Sequence, residues 1–163
     1  MSILSRCFSL VYEIYCDGAS RSNPGEASVG ISILKDSEEI ATIKKRIGIA
    51  TNNVAEYLGL IEALKYCVEN NIMEVDIYLD SLLVVQQVNL EYKVKSKKLQ
   101  EYYNQALDLI NKINNIKINH IRREFNKRAD QLANQALDEL WLSGLLVFLF
   151  FYLDIYLRIL KLT

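Results

Sequence analysis

The sequence is poor in several residue types that build common functional sites. Its 163 residues include three cysteines, one histidine and one proline. Cys7, Cys16 and Cys67 lack the spacing of a metal-binding motif, and their odd number favours free thiols in a reducing compartment, so we expect a cytoplasmic protein. Because paired cysteine or histidine ligands are missing, a metal site in this chain would use oxygen ligands.

An excess of charge of either sign is also missing. The formal net charge is -1, which argues against a protein that holds nucleic acid by bulk charge alone but is compatible with a locally basic face. Hydrophobic residues make up 51% and charged residues 24% of the chain, a balance that favours one compact domain with a core. The N-terminus has no long apolar run before a small-residue cleavage site, so no signal peptide is predicted.

Hydrophobic residues dominate the C-terminus. Residues 140–153 are almost continuously apolar, and apolar residues continue past Asp154 and Arg158. The uninterrupted run is shorter than the roughly 20 residues that a spanning helix needs. We therefore expect a domain over 10–140 and an apolar helical extension over 141–163. The extension could make membrane contact as an anchor, pack on the domain as an added helix, or have no selected role.

Hydrophobic periodicity within the domain predicts an α/β fold. Strands are predicted at 10–16, 27–34, 40–47, 74–79 and 116–121. Helices are predicted at 53–69, 81–88, 99–112 and 126–140. A polar turn at 35–39 joins strands two and three, so the first three strands should form an antiparallel meander. A helix precedes strand four, which can therefore lie parallel to strand one. The result is a five-stranded mixed sheet, with strands four and five added in parallel and helices on its faces.

Two aspartates are placed where strands are predicted to end. Asp17 precedes a turn-prone segment that contains Gly18, and a glycine beside a carboxylate allows an ion or phosphate to approach closely. Asp80 follows strand four. Because ligands collect at the carboxyl ends of strands in open α/β sheets, parallel pairing of strands one and four would make Asp17 and Asp80 neighbours. The simpler alternatives are a turn dipeptide at Asp17 and a helix cap at Asp80 or Ser81.

Two more acidic residues fall near helix starts. Glu56 comes three residues after Asn53 and could complete a capping box, while Asp130 comes four residues after Asn126 and could simply face the helix dipole. Four carboxylates brought together would repel one another, and a divalent cation would offset that repulsion. Oxygen ligands favour Mg²⁺ first and Mn²⁺ second, and two such ions roughly 4 Å apart serve phosphodiester hydrolysis.

Four segments, in order, resemble the motifs of type 1 ribonuclease H. They are DGAS at 17–20 with NPG at 23–25, TNNVAEY at 51–57, LDS at 79–81, and REFNKRADQLA at 123–133. The resemblance covers about residues 10–140. It implies the ribonuclease H fold and endonucleolytic cleavage of the RNA strand of RNA–DNA hybrids, with 5′-phosphate and 3′-hydroxyl products.

The resemblance also implies roles for single residues. The catalytic, metal-binding carboxylates would be those of Asp17, Glu56, Asp80 and Asp130. Asp17 would bridge two ions, with Glu56 and Asp80 completing one coordination sphere and Asp130 the other. No protein partner is implied as obligatory.

Substrate contacts are implied at the first two motifs. Asn23 and Asn52 would read ribose 2′-hydroxyls, Thr51 would hold a phosphate of the DNA strand, and Gly18 would contribute to substrate binding. Ordinary helix caps are the alternative for Thr51 and Asn52. Because these contacts address the backbone, no base-sequence preference is expected.

The chain departs from the family pattern at two places. Many relatives have a histidine in the loop before the last aspartate, whereas His120 falls inside predicted strand five and the following loop carries Arg122, Arg123 and Glu124. We expect slower turnover, or the use of arginine or water instead. The basic handle of some relatives is reduced to residues 93–98. The remaining alternatives are a non-catalytic module that binds RNA or the hybrid, another nuclease on the same fold, and a membrane-tethered interaction protein.

Overall fold

The computed structural model describes residues 12–139, so the predictions for residues 1–11 and for the apolar extension lie outside the described residues. The strands are β1 (Tyr12–Ser20), β2 (Gly25–Lys35), β3 (Glu38–Ala50), β4 (Glu74–Leu79) and β5 (Asn115–His120). The helices are α1 (Asn52–Glu69), α2 (Leu82–Val88), α3 (Lys97–Ile110), a short 3-10 helix (Arg123–Phe125), and α4 over 127–139.

The strands form one mixed sheet in the order β3-β2-β1-β4-β5. β1 pairs with β2, and β2 with β3, in antiparallel register, whereas β1 with β4 and β4 with β5 are parallel. The predicted fold class and strand directions are therefore confirmed. The parallel register pairs Tyr15 with Tyr78, and two residues further along each chain this register leads to Asp17 and Asp80.

The end of β1 differs from the prediction. The strand continues through Ser20, and Asp17 lies inside it, opposite Gly30 of β2. Pairing with β2 extends the strand, because β2 begins at Gly25 and supplies partners for every residue up to Ser20. The turn is thereby confined to 21–24, and the Asp-Gly dipeptide is not a turn here.

Two helices begin earlier than predicted because a side chain caps each of them. The hydroxyl of Thr51 accepts a hydrogen bond from the Val54 amide at 3.4 Å, and that of Ser96 accepts one from the Leu99 amide at 3.4 Å. These side chains are the N-caps of α1 and α3. α3 consequently begins at Lys97, two residues before the predicted start, so part of the basic segment is helical.

Helix α4 packs closely on β2. A side chain at Gly30 would place its Cβ 2.2 Å from the Ala129 main-chain oxygen and 2.3 Å from the Ala133 nitrogen. The buried hydroxyl of Ser28 donates a hydrogen bond of 2.6 Å to the Ala133 main-chain oxygen. This contact fixes α4, and with it Asp130, beside the strand that pairs with Asp17.

Candidate active site

Gly18 sets the distance between β1 and α1. A Cβ at this position would lie 2.1 Å from the main-chain carbon of Ala55 and 2.3 Å from the amide nitrogen of Glu56. The missing side chain therefore lets the helix backbone lie against the strand, which brings Glu56 next to Asp17. From the sequence we expected this glycine to let an ion or phosphate approach. In the structure, the space that its missing side chain leaves is filled by the backbone of α1. Its predicted substrate contact stays a prediction.

Three of the four predicted carboxylates converge. One oxygen each of Asp17, Glu56 and Asp80 lie within 4.8 Å of one another. Asp17 comes from the middle sheet strand, Asp80 follows β4, and Glu56 reaches in from α1. The expected proximity of Asp17 and Asp80 is confirmed. Such an oxygen cluster has the donor chemistry of a site for a hard divalent cation.

Asp130 lies at the edge of this cluster. It lines the same cavity of about 240 Å³ but does not belong to the group of three close oxygens. Its Oδ1 forms an ion pair of 2.7 Å with Nη2 of Arg123, whose side chain is 78% exposed. The cavity is lined by Asp17, Gly18, Ala19, Ser20, Asn52, Glu56, Asp80, Arg123, Asp130 and Asn134.

Burial and the repulsion between neighbouring carboxylates favour the protonated forms of Asp17 and Glu56. Burial, followed by the charges of Asp80 and Asp130, raises the pKa of Asp17 to about 7, while Arg123 lowers it in part. Burial and the charges of Asp17 and Asp80 likewise raise the pKa of Glu56 well above its usual value. A positively charged ligand would therefore stabilise the ionised carboxylates of this cluster.

Asn126 is a site residue that the sequence did not single out beyond a helix start. It is fully buried, and its Nδ2 donates hydrogen bonds to the Cys16 main-chain oxygen at 3.0 Å and to Oδ1 of Asp80 at 3.3 Å. This amide therefore ties the start of α4 to β1 and positions the Asp80 carboxylate. Its sequence signals are its place four residues before Asp130 and inside the motif segment 123–133.

Two buried oxygens next to the carboxylates have no partner within residues 12–139. They are Oδ1 of Asn126 and Oε2 of Glu56. Buried oxygens are nearly always hydrogen-bonded, so such atoms call for a water or an ion. Together with the oxygen cluster, they fit a hydrated divalent cation.

The structure does not support the helix-capping alternatives for Glu56 and Asp80. Because Thr51 is the N-cap of α1, Glu56 is the fifth helical residue and cannot be the capping-box partner of Asn53. Ser81 is the N-cap of α2 without a side-chain bond, and Asp80 is turned to Asn126 instead. Helix capping therefore does not explain why acidic residues occupy positions 56 and 80.

The predicted substrate-binding residues meet at the rim of the cavity. The Asn52 amide nitrogen donates a hydrogen bond of 3.2 Å to Oδ1 of Asn23, and both residues are exposed. Thr51 caps α1, as its alternative reading expected. His120 is the exposed last residue of β5 and does not line the cavity, as the sequence indicated.

Comparison with known proteins places the chain in a family. A family model described as reverse transcriptase-like matches residues 15–136. The ribonuclease H of Clostridium botulinum is 32% identical over 144 aligned positions, and the match covers 77% of this chain and 95% of that protein. The chain belongs to the type 1 ribonuclease H family. The ribonuclease HI of Halobacterium salinarum, another relative, is 38% identical over 126 residues, covering 77% of this chain and 63% of the relative.

Solved structures of type 1 ribonucleases H share the fold. The N-terminal RNase H domain of Rv2228c from Mycobacterium tuberculosis superposes with a TM-score of 0.77 at 40% identity, covering 83% of this chain and 99% of that one. LC11-RNase H1 in complex with an RNA/DNA hybrid gives 0.75 at 37% identity, covering 80% and 99%. The chain spans 35% of the full mycobacterial bifunctional protein, at 42% identity. Between residues 12 and 139, no helix has the length and hydrophobicity required to cross a membrane.

Proposed function

We propose that this type 1 ribonuclease H is a metal-dependent endonuclease that hydrolyses the RNA strand of RNA–DNA hybrids and leaves 5′-phosphate and 3′-hydroxyl ends. The observation that carries the proposal is the convergence of the Asp17, Glu56 and Asp80 oxygens within 4.8 Å. The hybrid bound to LC11-RNase H1 supports the substrate class.

The acidic residues would hold two Mg²⁺ ions, with Mn²⁺ as a substitute. Asp17, Glu56 and Asp80 would hold one ion, and Asp17 with Asp130 the other. When bound, such ions supply Lewis-acid activation of the attacking water and stabilisation of the leaving oxygen. Water would complete both coordination spheres, since Mg²⁺ usually keeps several waters beside one or two carboxylates.

Other residues of the chain would position and bind. Asn126 holds Asp80 in place through its hydrogen bond of 3.3 Å. Arg123 is exposed beside Asp130, in the loop where many relatives have histidine, and its guanidinium suits a phosphate of the substrate or product. At the rim, Asn23 and Asn52 would contact ribose 2′-hydroxyls, which distinguish RNA from DNA.

The remaining substrate contacts concern the backbones. Thr51, at the start of α1, would contribute to a phosphate site for the DNA strand, since helix N-termini favour anions. Gly18 lines the cavity, and its main chain would contact the RNA strand there. The lysines of residues 93–98 would add salt-dependent phosphate contacts.

Cleavage assays with matched duplexes test the proposal. We expect cutting within the RNA of a labelled RNA–DNA hybrid, but not of double-stranded RNA or DNA, in Mg²⁺ or Mn²⁺. Chelator should abolish it. Asp80→Asn should lower the rate by at least about 100-fold, because the substitution removes a charged ligand from the cluster. Equal cutting of all three duplexes, or an unaffected Asp80→Asn variant, would contradict the assignment. Binding without cutting in either metal would favour a hybrid-binding module.

A further inference from the structure

Asn134 lies on the active-site side of α4, just beyond the last sequence motif. It follows Asp130 by four residues, as Asp130 follows Asn126, so the three lie near one another along one side of the helix. Asn134 lines the cavity together with Asp17, Glu56 and Asp130. Nothing in the proposed function yet uses this exposed carboxamide.

The hydrogen bonding of Asn134 orients its carboxamide. Its Nδ2 donates a hydrogen bond of 2.8 Å to the main-chain oxygen of Asp130. A carbonyl oxygen only accepts hydrogen bonds, so the nitrogen must face Asp130 and the amide oxygen must be turned away from it. Within residues 12–139, Oδ1 of Asn134 has no hydrogen-bond donor. The cavity wall thus presents an unused neutral acceptor.

The chemistry of the RNA strand limits what this acceptor can bind. Phosphate oxygens are themselves acceptors and cannot donate to Oδ1. A ribose 2′-hydroxyl can donate, and it is the group that distinguishes an RNA strand from DNA. Asn134 also carries no charge, so it adds no repulsion against a phosphodiester next to Asp17, Glu56 and Asp80.

We propose that Oδ1 of Asn134 accepts a hydrogen bond from the 2′-hydroxyl of one ribose next to the cleaved bond, an inference that rests on the proposed function. Asn134 is then a substrate-binding residue on the α4 side of the cavity, while Asn52 lies at the start of α1. The two amides contact the RNA strand from different elements of the fold. Recognition of RNA is thereby shared between the first two motifs, which carry Asn23 and Asn52, and a helix position outside the motifs.

A double-mutant cycle between protein and substrate tests this contact. Asn134→Ala and wild type are compared on a hybrid with one short RNA stretch, and on copies with a single 2′-deoxy nucleotide at each position. Asn134→Ala should lower kcat/KM roughly threefold to tenfold, the effect expected for one hydrogen bond. At one position, the deoxy substitution should slow wild type by a similar factor and leave Asn134→Ala unaffected. The matched control is Asn104→Ala, an exposed amide on α3 that does not line the cavity.

Several results would overturn the assignment. Additive losses at every deoxy position, or no loss in Asn134→Ala, would show that this amide contacts no 2′-hydroxyl. Coupling to a methylphosphonate substitution instead would assign it to a phosphate. Thermal melts identify a folding defect, in which case Asn134→Ser, which loses the amide oxygen but keeps a polar side chain, replaces the alanine variant. A wild-type protein that cleaves no hybrid would refute the proposed function itself, which is a separate outcome.

Discussion

The carboxyl group of Asp17 is held among other acids by the fold, and this has consequences for stability. It is 6% exposed, and burial together with Asp80 and Asp130 raises its pKa to about 7. In the unfolded chain the pKa of an aspartate is about 4. Between these two values the folded state binds a proton that the unfolded state has lost, so the folded state is disfavoured as the pH rises.

We therefore expect the metal-free protein to lose stability as the pH rises from about 4 to about 7, by an amount on the order of a few kcal/mol. Chemical denaturation in chelator at pH 5 and pH 8 measures this difference. Asp17→Asn, which cannot ionise, should reduce the difference and be more stable than wild type at pH 8. A wild-type protein more stable at pH 8 than at pH 5 in chelator would contradict the assigned electrostatics.

Asn126 illustrates what the sequence could not reveal at the residue scale. Its position before α4 predicts a helix start, and nothing in the local pattern shows that its amide would reach Cys16 and Asp80 across the sheet. The acidic residues were easier to find, because their charge and spacing form a recognisable pattern. Neutral side chains that connect distant segments have no such signal.

Replacing Asn126 with Ala should therefore affect both folding and cleavage. The change leaves the buried Cys16 oxygen without its partner and Asp80 without its hydrogen bond, so we expect a loss of about 1–3 kcal/mol in the free energy of unfolding. We also expect a lower kcat with a smaller change in KM, as for a positioning residue. Denaturation and steady-state kinetics measure both, and an unchanged kcat in a stably folded variant would refute the positioning role.

At the scale of elements, close backbone packing sets the positions of α1 and α4. Strand alternation and helical periodicity were sufficient to predict β4 and α1 almost to the residue. They failed at the end of β1, where pairing with β2 overrides the turn tendency of Asp17 and Gly18. They failed also at the start of α3, where the Ser96 cap includes two lysines in the helix. In both cases a partner or a cap outweighed local composition.

Gly30→Ala should disturb the contact between β2 and α4. The new Cβ would lie 2.2 Å from a main-chain oxygen of α4, so the helix must shift, at a cost of about 1–3 kcal/mol or more in stability. Because α4 carries Asp130, we expect cleavage to fall as well. Gly48→Ala is the matched control: this glycine has a φ of +81° and nothing within 4 Å of a Cβ, so only backbone strain is added.

Denaturation and cleavage rates of the two glycine variants should separate the effects. Gly30→Ala should lose stability and activity together, whereas Gly48→Ala should lose stability alone. Equal activities of both variants, relative to wild type, would show that the spacing between β2 and α4 does not control the site.

At the scale of the whole molecule, the described residues 12–139 contain the five-stranded sheet, the four acidic residues and the cavity beside them. The fold class and the strand directions were predicted from the hydrophobic periodicity and the connections between elements, and the family from four motifs in order. The apolar extension over 141–163 has no such pattern, and its membrane contact stays a prediction, as does the cytoplasmic location.

A chain that ends at Leu140 should therefore cleave hybrid with the kcat and KM of the full chain. Steady-state kinetics of both lengths under identical salt and Mg²⁺ measure this, with thermal melts to confirm that the shorter chain is folded. A folded shorter chain with a much higher KM would assign the extension a part in substrate binding.

Gly18 and Gly30 lie on neighbouring strands, with α1 against one and α4 against the other. Because neither residue has a side chain, the two glycines set how closely α1 and α4 approach the sheet near the active site. Substitutions on the outer surfaces of both helices would leave this spacing unchanged, whereas a methyl group at either glycine would push a helix away from the sheet. Variation among descendants of this chain should accordingly be low at both glycines for reasons of packing alone.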